Sequence, residues 1–563
     1  YIEKETSINE EIEKYRHAAT QSLLTRKDVI IVASVSAIYG LGDVNTYRQM
    51  AIELKVGERY TREVLMRHLV DLQFTRSLGE FKQGMFSVLG DILEIFPPSG
   101  DNILRLEFFG DELESIEEAD GFTGEVYQKL ASVSIFPASH NVTTKDRIEL
   151  ALPQIRADME ERYNFFMEQK QFAFAERIKM RTEYDMEMLH ETGYCNGIEN
   201  YLRYLNQSAP GSPPATLLNY FPEDMLMFID ESHITVPQVR GMFNGNLARK
   251  KNLIDYGFRL PSAYDNRPLH FTEFEKFMKQ VVFVSATPQE YEFNFSQNQI
   301  AEQIIRPTGL LDPEIEVRDS SYQVDDILEQ VLNRIELNER VLITTTTKKL
   351  AEKLAEYLTE HNIAAKYLHS EIDTFDRVEI LRLLRLGSRQ GGIDVVVGIN
   401  LLREGLDLPE VSLIGVLDAD KEGFLRSRDA LIQIVGRAAR NVHGKVIMYA
   451  RKQSDGTLHI TKAMQACMEE TNRRRAIQHQ YNLDHGLTPQ PIIKEIKMLE
   501  GESSTIKLEQ KTYEADKLPV HEINRMMKEL NNQMDLAAKN WEFEKAADLR
   551  DQIEVLEKYL QSK

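Results

Sequence analysis

Predominantly apolar runs of four to seven residues recur along the chain, and most end in small or polar residues. They are Val29–Ala33, Met225–Ile229, Val281–Val284, Val341–Thr344, Asp394–Gly398 and Val411–Leu417. Short runs without alternation, rich in β-branched residues, predict strands buried on both faces, as in a parallel sheet. Helix-patterned stretches separate them, so the expected class is α/β. Residues 51–142 follow a different rule. Short strand-like runs alternate there with glycines, as in Met85-Phe-Ser-Val-Leu-Gly90 and Ile103-Leu-Arg-Leu-Glu-Phe-Phe-Gly110, which predicts a small α+β insertion. Residues 145–205 carry a helical pattern with few breakers before Gly193, and Pro210-Gly-Ser-Pro-Pro214 marks a loop. Residues 490–518 are polar and tether-like. The tail then places Ile523, Met527, Leu530, Met534 and Ala537, followed by Phe543, Ala546, Leu549, Ile553, Leu556 and Leu560, at spacings of three and four. That pattern predicts a helical hairpin with one apolar face, suited to self-pairing or to a partner helix. Phe174–Arg181 faintly echoes Phe543–Arg550, as a distant internal repeat would.

With 563 residues the chain has room for roughly three to five domains. A net charge of −21 argues against coating nucleic acid over the whole surface, so any such contact is a local groove or gripping element. The two cysteines, Cys195 and Cys467, exclude a disulfide framework or a four-cysteine zinc site and fit a reducing, cytoplasmic setting. No apolar stretch approaches the ~18 residues of a membrane helix.

Four motifs stand in the order that an ATP-driven nucleic-acid motor requires. Asp230-Glu231-Ser232-His233 and Ser285-Ala286-Thr287-Pro288 each close an apolar run, and Gly398–Asp407 and Gln433-Ile-Val-Gly-Arg-Ala-Ala-Arg440 follow. The phosphate loop G-x-x-x-x-G-K-[ST] does not occur among these residues. The expectation is therefore a motor whose N-terminal part precedes Tyr1, with ATP binding dependent on that part. Asp230, at a strand's carboxyl end, suits a Mg²⁺ ion on nucleotide phosphates. Glu231 suits orienting or activating water, and His233 suits sensing the terminal phosphate. Alone, an acid pair after an apolar strand is as often structural; the ordered set favours chemistry. Ser285 and Thr287 offer short hydroxyls that relay nucleotide state, although Ser-Ala-Thr-Pro by itself reads as a turn. Arg437 and Arg440 lie three apart on an expected helix, with Gln433 a turn earlier, and Gly436 is expected to allow close packing. Glu404, Gly405 and Asp407 precede them on a loop. Guanidinium forks match phosphates and stabilise developing charge, whereas an isolated Arg-x-x-Arg is usually a solvated helix face.

Together with Tyr1-Ile-Glu-Lys4, Ile30–Gly40, Phe258-Arg-Leu-Pro-Ser262, Ile305–Pro313 and Asp418–Leu425, these motifs resemble the bacterial UvrB family over essentially the whole chain. Members of that family are the damage-verifying subunits of the UvrABC nucleotide excision repair system. The resemblance implies two RecA-like superfamily 2 helicase lobes with an inserted small α+β domain, a helical subdomain and a C-terminal helical hairpin. On it, 1–50 is the end of a β-hairpin and part of lobe 1, 51–142 a UvrA-docking insertion, 143–215 the helical subdomain and 216–305 the rest of lobe 1. Lobe 2 is then 306–490, a linker 491–518 and a UVR domain 519–558. The implied activity is a DNA-dependent ATPase using ATP and Mg²⁺, the metal held through Asp230, acting beside the nuclease without being it. The implied partners are UvrA, UvrC and damaged double-stranded DNA, with self-association through the UVR domain. The resemblance further assigns Tyr1, Lys4, Arg16, Ser34 and Tyr39 to DNA, Arg76 and Lys82 to UvrA, and Ile523, Met527, Phe543, Ala547 and Ile553 to UvrC. The family's F-R-V-R-G-D reads Phe86-Ser-Val-Leu-Gly-Asp91 here, so two arginines are absent from the docking module. Three other readings compete: a transcription–repair coupling factor, whose related lobe lacks intact helicase motifs; a processive helicase of the same fold; and a non-enzymatic scaffold between UvrA and UvrC.

Overall fold

The structure is a computed structural model describing residues 10–496 except 78, 122, 370, 371, 373 and 400–406, together with residue 550. It forms two compact units, Tyr1–Ile300 and Ala301–Lys563. Tyr1, Lys4, Glu404, Gly405, Ile523, Met527, Phe543, Ala547 and Ile553 lie outside the described residues. No described helix is long and apolar enough to cross a membrane.

Unit 1 opens with α1 (Glu10–Thr25), which is anchored by polar side chains. His17 Nδ1 lies 3.0 Å from the Tyr47 hydroxyl, and Thr20 Oγ1 lies 2.9 Å from His140 Nε2. The two imidazoles stack with centroids 3.9 Å apart. Tyr47 sits on α2 (Val44–Met50), a helix begun by the Asp43 carboxylate accepting from the Thr46 N–H at 2.8 Å. Between the two helices, Val29–Ala33 departs from expectation. It is not a strand, and Ile30 and Val32 stand 92% and 96% exposed. A buried parallel strand needs partners along its edges, and none of the sheets among the described residues includes this segment.

The α+β region follows as β1 (Ile52–Lys55), α3 (Arg62–Asp71), β2 (Thr75–Arg76), β3 (Met85–Leu89), β4 (Ile92–Phe96), β5 (Asn102–Phe109), β6 (Glu112–Asp120), β7 (Val126–Leu130) and β8 (Ser132–Ile135). Strands β2 to β7 form one sheet in sequential order, and β8 pairs antiparallel with β1. The period-two pattern sends Phe86, Leu93, Ile95, Leu106 and Ile116 into a core with Leu65 and Leu69 of α3. Ser87, Glu94 and Arg105 line up in register on the opposite face.

Helices α4 (Lys145–Glu168) and α5 (Phe172–Thr192) form an antiparallel pair. Ile148, Ala151, Ile155 and Met159 recur at threes and fours along the buried stripe of α4. Gly193 ends α5 at φ +72°, a left-handed cap that a side chain would strain. After the short α6 (Leu202–Leu205), β9 (Met227–Ile229) leads into α7 (Ser232–Asp255). Then come α8 (Phe271–Phe274), β10 (Val281–Phe283) and α9 (Glu290–Phe295), with β10 parallel to β9.

Unit 2 comprises β11 (Glu314–Asp319), α10 (Gln323–Glu336), β12 (Arg340–Thr344), α11 (Lys348–Glu360), β13 (Ala365–Leu368), α12 (Thr374–Leu386), β14 (Val395–Gly398), β15 (Val411–Val416), α13 (Arg428–Val435), β16 (Lys445–Ala450) and α14 (Lys462–His485). Its six strands lie in the order β11-β16-β15-β12-β14-β13, every pair parallel. The predicted runs became β12, β14 and β15, which are buried along their whole length. One face packs on Leu431, Val435 and Met464, the other on Ile327, Leu354 and Leu358. That double burial is why these strands read as unbroken apolar runs.

The α1 anchor carries a pH dependence. Burial, with a smaller push from Arg16, lowers His17 from 6.5 to about 4, and burial lowers His140 well below its ordinary value. Both rings are neutral in the folded protein near pH 7, facing Tyr47 on α2 and Arg16, Thr20 and Glu13 on α1. The unfolded chain takes up these protons first, so the stability is complete above about 6.5 and declines as pH falls from there towards 4. Urea titrations at pH 7 and pH 5 are expected to show unit 1 weakened by about 2 kcal/mol at the lower pH from His17 alone. Replacing His17 with Asn is expected to remove that part of the difference; an unchanged difference would count against the anchor.

Candidate functional site

In unit 1 the parallel pairing of β9 and β10 puts two of the sequence motifs side by side. Their register aligns Ile229 with Phe283, and the ladder continues as the Val284 N–H donates to Ile229 O at 2.9 Å and the Ser232 N–H to Val284 O at 3.1 Å. Asp230 and Glu231 therefore form a tight turn between strand end and helix. Glu231 adopts φ +44°, ψ +47°, a left-handed conformation that costs a residue with a side chain on the order of 1 kcal/mol. Local bonds hold it there. The Thr235 hydroxyl donates to Asp230 O at 2.7 Å, and the Glu231 N–H donates to Asp230 Oδ1 at 3.0 Å. The Asp230 carboxylate is exposed, and Glu231 Oε2 lies 3.7 Å from His233 Nδ1. His233 Nδ1 also lies 2.7 Å from Ser285 Oγ, which accepts from the Thr287 N–H at 3.1 Å. The structure thus brings Glu231, His233, Ser285 and Thr287 into one connected chain.

A residue absent from the sequence reading closes this arrangement. Glu292 on α9, only 4% exposed, accepts from the Ser232 hydroxyl at 2.8 Å and from the Gln289 N–H at 3.2 Å. Its signal was present as Gln289-x-x-Glu292, a capping box in which each side chain bonds the other's backbone. An open recess beside it is lined by His233, Pro237, Arg240, Tyr291 and Asn294.

In unit 2, Gln433 lies on α13, but Arg437 and Arg440 do not continue that α-helix. Gly436–Arg440 is a 3₁₀ turn, in which residues three apart eclipse one another, so the two arginines still share a side. Gly436 ends the helix by its poor propensity rather than by close packing, since a Cβ there would meet no atom within 4 Å. Arg440 Nε pairs with Asp407 at 3.0 Å, and Lys494 pairs with the same carboxylate at 2.5 Å. The Lys494 hydrogen bond, followed by the Arg440 charge, holds Asp407 below the usual carboxylate range. Arg426, also missed from sequence, is buried and donates to Leu417 O at 2.9 Å and Thr344 O at 3.3 Å, tying together the carboxyl ends of β15 and β12.

The remaining predicted residues are dispersed. Arg16 is half-exposed on α1 and pairs with Glu13 at 2.7 Å. Ser34 is exposed with its hydroxyl 2.6 Å from that of Ser36, and Tyr39 on the same loop makes a backbone bridge to Pro268. Arg76 is exposed on β2, and Lys82 pairs with Glu80 at 3.1 Å. Among the described residues, one group of possible metal donors lies away from the acidic turn: Glu13, His17 and His140, within 4.8 Å of one another. The two imidazole planes are only 16° from parallel and stacked, whereas an ion must lie in the plane of each ring that binds it. One ion therefore cannot serve both rings, and the group is a packing contact.

Family models match most of the chain: the UvrB interaction domain over 52–141, the UvrB third helical domain over 146–207, the helicase conserved C-terminal domain over 323–442, ultra-violet resistance protein B over 458–497 and the UvrB/uvrC motif over 524–559. The UvrABC system protein B of Chloroflexus aggregans is 55% identical over 560 residues, covering 98% of this chain and 82% of that protein. Those of Caldicellulosiruptor saccharolyticus and Geobacillus kaustophilus are 53% and 52% identical, with 84% and 83% of their lengths covered. Among solved structures, S. cerevisiae Dbp5 bound to RNA and ADP BeF3 aligns at 15% identity and a TM-score of 0.29, over 50% of this chain and 72% of that one. The fold is a helicase-like α/β fold with added family-specific domains.

Replacing Glu292 with Ala leaves the buried Ser232 hydroxyl and the Gln289 N–H without their acceptor, and is expected to cost about 1–3 kcal/mol of unit 1 stability. Urea unfolding would measure this, and Glu292→Gln, which keeps one acceptor oxygen, is expected to recover most of the loss.

Proposed function

The chain belongs to the UvrB family of damage-recognition subunits in excision repair, and from that premise we propose that it tests one strand of UvrA-delivered DNA in an ATP cycle and then recruits UvrC. What carries the reading is the acidic turn at the end of β9, bonded through His233 to Ser285 at the end of β10. An exposed carboxylate at a strand end supplies the hard oxygen ligand that Mg²⁺ takes, so Asp230 fits the cation of a magnesium nucleotide, whose phosphate-cradling loop does not occur among these residues. Bound MgATP supplies the free energy of phosphoanhydride hydrolysis. Asp230 would hold the cation, and Glu231, fixed by its left-handed backbone, would orient water and accept its proton. His233 shares Ser285 with the Thr287 N–H, so a change at the acid pair reaches the second strand end through hydrogen bonds. In unit 2, Arg437 and Arg440 present two guanidinium groups for phosphate charge, with Gln433 and Asp407 setting their surroundings.

On the same reading, 51–142 docks UvrA through Arg76 and Lys82, and 519–558 engages UvrC through Ile523, Met527, Phe543, Ala547 and Ile553. Tyr1, Lys4, Arg16, Ser34 and Tyr39 contact the DNA, where aromatic stacking tolerates any sequence and so suits a detector of many lesions.

In a protein that carries the phosphate loop, Asp230→Ala is expected to lower damage-stimulated phosphate release by about 100-fold or more while UvrA binding stays within about twofold. Equal loss of both would contradict this division of labour. Deleting about 515–563 is expected to leave loading on damaged duplex intact, read by gel shift with UvrA, and to impair incision once UvrC is added.

A further inference from the structure

We infer that two adjoining hairpin tips in unit 1 form an apolar docking point with an acidic rim, fitted to a protein surface that offers an apolar recess edged by basic side chains. The inference rests on the reading of 51–142 as a protein-docking module and adds the chemistry of the contact.

Large apolar side chains at turns are ordinarily avoided, yet Leu89 at the end of β3 is 74% exposed and Phe109 at the end of β5 is 76% exposed. They belong to adjacent turns. Leu89 pairs in register with Ile92, Ile92 with Glu107, and the Phe108 N–H donates to Asp91 O at 3.0 Å, stitching one turn to the other. Gly90 and Gly110 make both turns at φ +62° and +63°, with nothing within 4 Å of an added Cβ, so these tips project into open space. Arg62 stiffens the first turn by donating to Gly90 O at 2.7 Å and pairing with Asp91 at 3.1 Å. The tips are thus ordered before any partner arrives, which lowers the entropic cost of docking.

Charge selects the partner. Asp91, Glu107, Asp111 and Glu112 surround the tips and are all exposed, against Arg59 and Arg62 on the basic side. A nucleic acid backbone would be repelled by this rim. An apolar recess with lysine or arginine at its edge would desolvate Leu89 and Phe109 and neutralise the excess acid. Plain alternation along β5 turns Leu106 and Phe108 inward and leaves Glu107 and Phe109 outside, while the register shift opposite them leaves Glu114 of β6 as the extra residue.

The test uses the full chain and the UvrA subunit of the same organism, with binding followed by calorimetry. Leu89→Ser and Phe109→Ser are each expected to weaken binding about tenfold or more, and Leu89→Met to stay within about twofold. Because both positions are exposed, the variants should melt with the parent. Raising salt from 0.1 to 0.4 M should weaken the parent less than about tenfold, as for an apolar anchor with few charges. Parent binding that survives both serine substitutions would overturn the inference and leave the docking reading standing. No binding by the parent would remove both. Loss of affinity for damaged duplex DNA without UvrA, in the same two variants, would overturn it in favour of a nucleic-acid contact.

Discussion

Strand polarity is the constraint on which the molecule depends. Where neighbouring strands run parallel, their carboxyl ends emerge along one edge, and the loops leaving them hold side chains that no single segment could bring together. In unit 2 the fully buried β12, β14 and β15 fix that edge so firmly that Arg426 can bond the carbonyls at two of its strand ends. In unit 1 the short β9 and β10 do this work, and the bonds from Val284 to Ile229 and from Ser232 to Val284 carry the same geometry into the acidic turn. The chemistry is assembled from backbone pairing first and side chains second.

The acidic turn shows how a strained residue is kept in place. A left-handed Glu231 would relax in an isolated peptide. Here it is over-determined by Thr235 below, Ser232 tied to Glu292 at the side, and His233 tied to Ser285 in front. Each bond is modest, and together they leave the turn few alternatives.

Much of this was legible in the sequence. Parallel strands buried on two faces leave a simple trace, so the run over 341–344 read correctly from composition alone. The glycine-punctuated short runs over 85–110 likewise announced the strands and turns of a small α+β region. What failed was context. Val29–Ala33 has a strand's composition, but strandness belongs to a pair, and with no partner strand among the described residues Ile30 and Val32 stand in the open. Gly436 read as a close approach and proved to be a helix terminator, because sequence records the missing Cβ without recording what lies beside it. Glu292 was passed over for a related reason: a glutamate at a helix start is ordinary on the surface, and only burial makes it structural.

The cores of unit 1 are separate. The meander encloses Phe86, Leu93 and Leu106 with α3, whereas Ile229, Val236 and Leu269 form another cluster beneath the acidic turn. Substitutions in the meander therefore travel poorly to the turn, and the converse holds as well. For an evolving lineage this is freedom of a particular kind. The surface that chooses a companion can drift residue by residue, trading arginine for leucine and back, while the machinery a few elements away keeps its geometry. Such a protein can change allegiance without relearning its trade.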